Sequence, residues 1–369
     1  MEVRTNNLHS INFKGYGARP LKGVFMRYTT AVPRHFEKIA VQMEQIGRQH
    51  GFDVFIQGNN EILSRKMQTL PAATSPIRGG ANYTWVQDNV TFLTDNIILH
   101  NNKIVTKFNT AVSKFFGAES KSVDNHIAGG NYFILDNNGE KELLLGRFDI
   151  GNISELTKDL GINSVNIISQ ADFHLDLFIR PLKDKVVLLA DDKIWFDRVS
   201  SIIEKIELDK TLSADKKICK VCNKLKEIKA LTNIMNIPIP DSQYKPLKQV
   251  EEELSDAGYK VVKVPGRIFD YINEDDGILP NHFLNYMNSI VHENPQGELV
   301  YITNKSNLNN YCGITKSVAE KIGFDFNSEF INSVKDYIKP ENIYFVDSKF
   351  FLKEYQGGIH CLAAEIPKP

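Results

Sequence analysis

The chain has 369 residues, 42% hydrophobic and 24% charged, with 23 Gly and 14 Pro spread along it, a profile that excludes disorder and predicts a soluble globular fold with a sizeable core. Forty-four basic against 45 acidic residues leave a formal charge of -1, so no overall field draws the protein to nucleic acid or an anionic membrane, and neither is expected as a partner. Met1 to Asn7 carry no apolar signal region, and no run approaches the ~18 apolar residues of a membrane span; this predicts a cytoplasmic protein, with leaderless secretion left open.

In chain order, Leu21 to Thr29 reads as a strand, and Pro33 to Gln49 as an amphipathic helix opened by Pro33 and closed by Gly51. Phe52 to Gln57 is a second strand. Tyr83 to Leu93 and Asn96 to Phe108 read as a hairpin turning at Thr94-Asp95, with a short helix after Asn109. A second hairpin from Asn131 to Gly146 turns at Asn137-Asn138-Gly139, a good signal because Asn-Gly accepts the positive φ of tight turns. Ile153 to Leu160 is a helix, Val165 to Ser169 a strand, and Phe173 to Leu182 with Lys185 to Ala190 a third hairpin. The charged stretch from about 195 to 231 is expected to be a helical insertion on the periphery. Beyond it come a helix (Leu247 to Ala257) and a strand (Tyr259 to Val264), then a hairpin (Phe283 to His292 with Glu298 to Thr303). Helices at Ser317 to Ile322 and Ser328 to Ile338, and strands at Asn342 to Val346 and His360 to Ile366, end the chain.

Strand-strand-helix-strand units thus recur about every 70 residues, which indicates radial repetition rather than a doubly wound parallel sheet. Four cysteines are too few for a disulfide framework. Cys219 and Cys222 form a C-x-x-C without a second ligand pair, so it reads as two helix cysteines and not as a zinc site.

Four distant segments, each at a strand end, supply groups suited to one reaction: Trp85-Val86-Gln87-Asp88, Ala128-Gly129-Gly130-Asn131, His174-Leu175-Asp176 and Gly357-Gly358-Ile359-His360-Cys361. His174 and Asp176, two apart on an expected strand, would face one side and enter one cleft together. A guanidinium is planar, delocalised and cationic, so a site for it needs carboxylates in bidentate geometry, which also fix the plane that a thiolate attacks. Asp88 and Asp176 can be those carboxylates, Cys361 the nucleophile, and His174 the group that protonates the departing nitrogen and then takes a proton from water. Gly357 and Gly358 let the backbone pass close to the ligand. Taken singly, each residue has an ordinary reading: Cys361 as a small buried hydrophobe, His174 as a core histidine, Asp88 as a turn residue. His360 is given a supporting role, and Asn131 either orients substrate or caps its turn.

Together the four segments resemble, in order, the motifs of the guanidino-group-modifying superfamily, the penteins, over about Leu21 to Pro367. The likeness is greatest to agmatine deiminases and bacterial peptidylarginine deiminases, whose chains end in a Gly-rich His-Cys turn followed by a strand and Pro, here His360 to Pro367. The stretch Leu284 to Ser289 also resembles their fourth-blade segment and puts Asn288 toward the site. The resemblance implies an α/β, five-bladed pseudosymmetric propeller forming one catalytic domain over residues 1–369. It implies a hydrolase of the deiminase type acting through a covalent thiouronium on Cys361. Catalytic roles then fall to Cys361, His174, Asp176 and Asp88, and substrate contacts to Asp88, Asp176, Trp85, Asn131, Asn288 and Gly358. No metal or organic cofactor is implied, because the substrate carries the electrophile. The partner is a small guanidine or a protein arginine; the oligomeric state is left open. This sequence has Gln87 where the family's first motif has Arg, and Ala128 where its second begins with Glu. Two other readings stand beside the hydrolase: an amidinotransferase, and a non-catalytic pentein that binds a guanidinium without turning it over.

Overall fold

A computed structural model of the chain describes residues 19–28, 32–58, 61–65, 67–70, 85–100, 106–122, 128–137, 140–153, 157, 161–191, 194, 245–265, 267–272, 279–305, 325–355 and 357–368. The 195–231 segment, the C-x-x-C, Cys312, the Ser317 to Ile322 helix and most of the Ile153 to Leu160 helix lie outside these residues.

One unit recurs: two antiparallel strands, then a third strand parallel to the second. β1 (Leu21–Arg27), α1 (Pro33–His50) and β2 (Asp53–Gln57) open the chain, with β2 parallel to β1 and edged by β3 (Gln68–Leu70). β4 (Val90–Phe92) and β5 (Ile97–His100) pair antiparallel, and after α2 (Thr106–Phe116) β6 (Glu119–Ser122) adds parallel to β5. β7 (Tyr132–Asn137), β8 (Glu140–Gly146) and β9 (Ser164–Ile168) follow the same order. So do β10 (Ile179–Pro181), β11 (Val186–Ala190), α3 (Leu247–Asp256) and β12 (Lys260–Val264). A two-stranded ladder of β13 (Arg267–Ile272) and β14 (Leu279–Asn285) precedes β15 (Ile290–Glu293), β16 (Leu299–Asn304), α4 (Phe326–Val334) and β17 (Ile343–Val346). α5 (Lys349–Tyr355) and the single turn α6 (Ile359–Leu362) lead into β18 (Ala363–Pro367). β18 pairs antiparallel with β1, so the last strand of the chain completes the first unit. The architecture is α/β, built of several small sheets; among the described residues no sheet closes on itself.

Helix α1 shows how the units hold together. Its buried residues Phe36, Ile39, Ala40, Met43, Ile46 and Gly47 follow a 3.6-residue period and pack with Val24, Val54 and Ile56 of β1 and β2. Each large apolar side chain so buried contributes about 1.5–3 kcal/mol. Pro33 starts the helix where a missing N–H costs nothing, and Gly51, at φ 81°, ends it in the left-handed region.

Five expected strands are corrected, and most of the corrections fall at the site. The described part of Tyr83 to Leu93 is strand only over Val90–Phe92, and Val86 to Asn89 form a turn in which the N–H groups of Asn89 and Val90 donate to the Val86 carbonyl. Among the described residues Asn96 to Phe108 is strand only over Ile97–His100, and Thr106 to Phe108 already belong to helix α2, whose four-residue apolar spacing runs Phe108, Val112, Phe116. The Phe173 to Leu182 strand is confined to Ile179–Pro181, and Leu175–Leu177 form a 3-10 turn. Side-chain amides take the backbone groups a ladder would have used: Leu175 N–H donates to Asn131 Oδ1 (3.2 Å), and Asn285 Nδ2 donates to the Leu177 carbonyl (2.9 Å). His174 and Asp176 therefore meet at a turn rather than along one strand face. The Phe283 to His292 run breaks after Asn285, whose Oδ1 accepts from the N–H groups of Met287 and Asn288. The His360 to Ile366 run begins as helix α6 and extends only from Ala363.

Candidate active site

Asn288 organises the C-terminal turn. Its Oδ1 accepts from the backbone N–H groups of Gly358 (3.1 Å), His360 (3.0 Å) and Cys361 (3.3 Å), which is why the chain coils into α6 there. Its Nδ2 donates to Asp176 Oδ2 (2.8 Å) and to Cys361 Sγ (3.1 Å), so one amide fixes both the thiol and the carboxylate. Asn304 supports it from β16. Its Nδ2 donates to the carbonyls of Asn285 and Asn288, and its Oδ1 accepts from Ser348 and from Ile359 N–H.

This scaffold leaves no room at Gly358. A Cβ there would lie 2.5 Å from Asn304 Nδ2 and 2.8 Å from Asn288 Oδ1, both locked in hydrogen bonds. Gly358→Ala is therefore expected to cost about 1–3 kcal/mol of stability, read by denaturant unfolding, and to displace Asn288. Gly357 likewise lies against the Trp85 ring: a Cβ there would stand 2.6 Å from the ring edge, so Trp85 walls the turn.

Asp176 is fully buried. Oδ2 accepts from Asn288 and lies 2.8 Å from His360 Nδ1 and 3.9 Å from Cys361 Sγ. Oδ1 is buried with no hydrogen-bond partner among the described residues. A Cβ on Gly130 would stand 2.8 Å from both this oxygen and His174 Nδ1, so the two groups flank one bare stretch of backbone. Burial first, then the charge of Asp88, pushes the Asp176 carboxyl well above the usual carboxylate range. Cys361, 7% exposed, has its thiol pushed well up by burial, then by Asp176 and Asp88, against the opposing pull of the Asn288 amide. A cation among Asp88, Asp176 and Cys361 would oppose both shifts.

His360 is held neutral: burial, then the charges of Arg180 and His174, keep its imidazole well below its ordinary value. Its contact with Asp176 is thus a hydrogen bond involving a neutral ring and not an ion pair. The ring lies parallel to Phe133 at 6.3 Å. Its Nε2 faces Arg180 Nη1 (3.0 Å) and Gln87 Nε2 (3.2 Å). Arg180 is buried and pairs with Glu365 Oε1 at 2.6 Å. A cavity of about 30 Å³, room for a water molecule, is lined there by Gln87, Phe133, Arg180, His360 and Glu365.

The fold thus brings together Cys361, Asp176, Asn288 and Gly358, with His174 beside Asp176 and Asp88 near enough to act on the charges of Asp176 and Cys361. Asn131 turns elsewhere: Nδ2 donates to Asp149 (2.7 Å) and Oδ1 accepts from Gln170 and Leu175, so it ties the Leu175 turn in place. Gln87 Nε2 donates to the Gly129 carbonyl (3.0 Å), beside Ala128. The two departures from the family pattern are therefore neighbours. Sequence reasoning missed Asn285, Asn304, Arg180 and Glu365. The last two carried a signal, a lone charge inside the apolar runs Phe178 to Leu182 and Leu362 to Ile366.

No protein-family model matches the sequence, and no curated protein does. Solved structures do. An agmatine deiminase of C. jejuni superposes with a TM-score of 0.55 at 14% identity, over 95% of this chain and 94% of that one. A Cys-to-Ser variant of a C. jejuni agmatine deiminase with substrate bound gives 0.52 at 14% identity, over 96% and 95%. A candidate peptidyl-arginine deiminase gives 0.55 at 15% identity, over 97% of this chain and all of that one. The chain has the fold of these guanidino-group structures.

Proposed function

We propose that the protein is a single-domain, five-bladed α/β propeller that hydrolyses a substrate guanidinium through a covalent thiouronium on Cys361. The observation that carries the reading is Asp176. A fully buried carboxylate that spends one oxygen on Asn288 and His360, and whose other oxygen has no hydrogen-bond partner among the described residues and shares the bare backbone of Gly130 with His174, calls for a cationic donor at that oxygen. Five sheets that each pair two antiparallel strands with a third strand parallel to the second, and the likeness to deiminase structures, one with substrate bound, support it.

The guanidinium docks against Asp176 Oδ1 and Asp88, and its charge offsets what holds both the carboxyl and the thiol protonated. Cys361 Sγ, its proton passed to His174, adds to the central carbon. Collapse of the tetrahedral adduct breaks a C–N bond, and His174 returns the proton to the departing amine or ammonia. Water, deprotonated by His174, then adds to the thiouronium; the C–S bond breaks and a ureido product leaves with the thiolate restored.

The thiol's upward shift gives a direct test. In the free protein Cys361 should react with iodoacetamide more slowly at neutral pH than an ordinary thiol of pKa about 8.5, and its rate should still climb above that pH. A haloacetamidine, which brings its own cation, should label it faster at neutral pH; both are measured against Cys361→Ala to subtract other cysteines. Equal rates for the neutral and cationic probes would count against the site.

The deciding experiment is a screen for ureido product over small guanidines and arginine-containing peptides, with glycine and ornithine present in a parallel series. A ureido product supports the hydrolase. An amidinated acceptor without ureido product makes the protein an amidinotransferase, and saturable binding without turnover makes it a binder.

A further inference from the structure

We infer that Arg180 is a positioning residue: it keeps His360 neutral with the ring proton on Nδ1, and so keeps Asp176 aimed at the substrate. The inference rests on the guanidine-site reading above for its kinetic consequence but not for its structural one. A guanidinium has no acceptor, so the 3.0 Å contact between Arg180 Nη1 and His360 Nε2 requires a lone pair on Nε2. The amide of Gln87, which also reaches the Gly129 carbonyl as a donor, makes the same demand at 3.2 Å. The proton of the neutral ring must then sit on Nδ1, where it points at Asp176 Oδ2, 2.8 Å away.

The consequence falls on Asp176. With His360 and Asn288 both donating to Oδ2, the carboxylate cannot rotate without losing two bonds, and Oδ1 stays turned away from them. In the other tautomer Nδ1 would present a lone pair to Oδ2, and a doubly protonated ring would neutralise Asp176 and repel a cationic substrate. Arg180 opposes both outcomes, the first as a donor and the second as a charge. The charged and titratable groups around His360 are Asp176, Arg180, Glu365, whose Oε1 is 3.9 Å from Nε2, and His174.

Arg180 is itself fixed by Glu365 at 2.6 Å and lies over the Phe133 ring, with its central carbon 5.6 Å from the ring centroid. Glu365 enters from β18, opposite Val24 of β1, so the strand that closes the first unit also holds the arginine.

The test is nitrogen NMR of the His360 ring, assigned by loss of the signal in His360→Gln. Removing Arg180 alone would strand Glu365 as a buried unpaired charge, so the variant is Arg180→Met with Glu365→Gln, which removes both charges together. The wild-type ring is expected as the Nδ1–H form at neutral pH. The double variant is expected to lose that form to Nε2–H or imidazolium, and its KM for a guanidine substrate is expected to rise about tenfold to a hundredfold, with kcat changing less, as for a lost hydrogen bond to a charged group. Arg180→Lys keeps a cation beside Glu365 but lacks the fork that reaches both partners, and should also loosen the tautomer; it decides the matter if the double variant does not fold. A wild-type ring in the Nε2–H form, or variants that keep Nδ1–H with unchanged KM, would overturn the assignment. The spectrum needs no substrate, so a protein that turns over no guanidine still decides it.

Discussion

Cys361→Ala is expected to reduce turnover by at least about 10⁴-fold while leaving the fold and the binding of guanidine intact. The reaction needs an atom that bonds the central carbon, and Cys361 is the thiol held against the Asp176 carboxylate by Asn288. Loss of the sulfur removes that bond but leaves the Asn288 to Asp176 contact in place. Because burial holds the thiol well above its ordinary value, any stability gain from alanine should appear only above the unfolded thiol value of about 8.5; near neutral pH stability should hold or fall slightly with loss of the Asn288 contact. Mass spectrometry of the ureido product and calorimetry of guanidine binding measure the two halves separately. A residual rate above about a hundredth of wild type would exclude a covalent thiol route. Cys361→Ser keeps the shape with a far weaker nucleophile, and should accumulate bound substrate.

Much of the fold was legible because its cues are local. Gly51 ends α1 where the apolar period stops, and β7 and β8 pair antiparallel with Asn137 opposite Glu140. The site was legible only as residue types in order, and its strand geometry was read wrongly. His174 to Leu177 has the apolar content of a strand, yet it forms a turn because amides of Asn131 and Asn285, from other units, claim its backbone. The partners that shape the centre are remote in the chain. Arg180 meets Glu365 across 185 positions, and Asn288 meets Cys361 across 73. No window on the sequence spans such pairs. An asparagine that accepts three backbone N–H groups looks the same, residue by residue, as one that caps a surface turn. What could be noticed was the misfit of a charge in an apolar strand, as at Arg180 and Glu365.

The same logic gives Asp176→Asn an expected double effect, a loss of kcat/KM of about 10²–10⁴-fold together with a gain in stability. The activity falls because a charge-assisted acceptor for the guanidinium becomes an amide: its oxygen can still serve His360 and Asn288, but its NH₂ then stands where Oδ1 should receive the substrate's N–H groups. The stability rises because the native state holds this carboxyl well above its ordinary value, chiefly through burial and then through Asp88. For a carboxyl raised on folding, the native state binds the proton more tightly than the unfolded chain does. The stability this brings is fully present below the unfolded value of about 4, and is lost as pH climbs through the folded value. Asparagine has no such proton to lose. The melting temperature of the variant should therefore match wild type near pH 4, exceed it increasingly toward alkaline pH, and level off once Asp176 is ionised in the native wild-type protein. A saturating guanidine should shrink the gap by stabilising only the wild type, because the ionised carboxylate then has its cation. If the two melting curves instead stay parallel across pH, Asp176 is not the strained acid that the site requires. If the variant keeps its turnover, the guanidinium binds elsewhere.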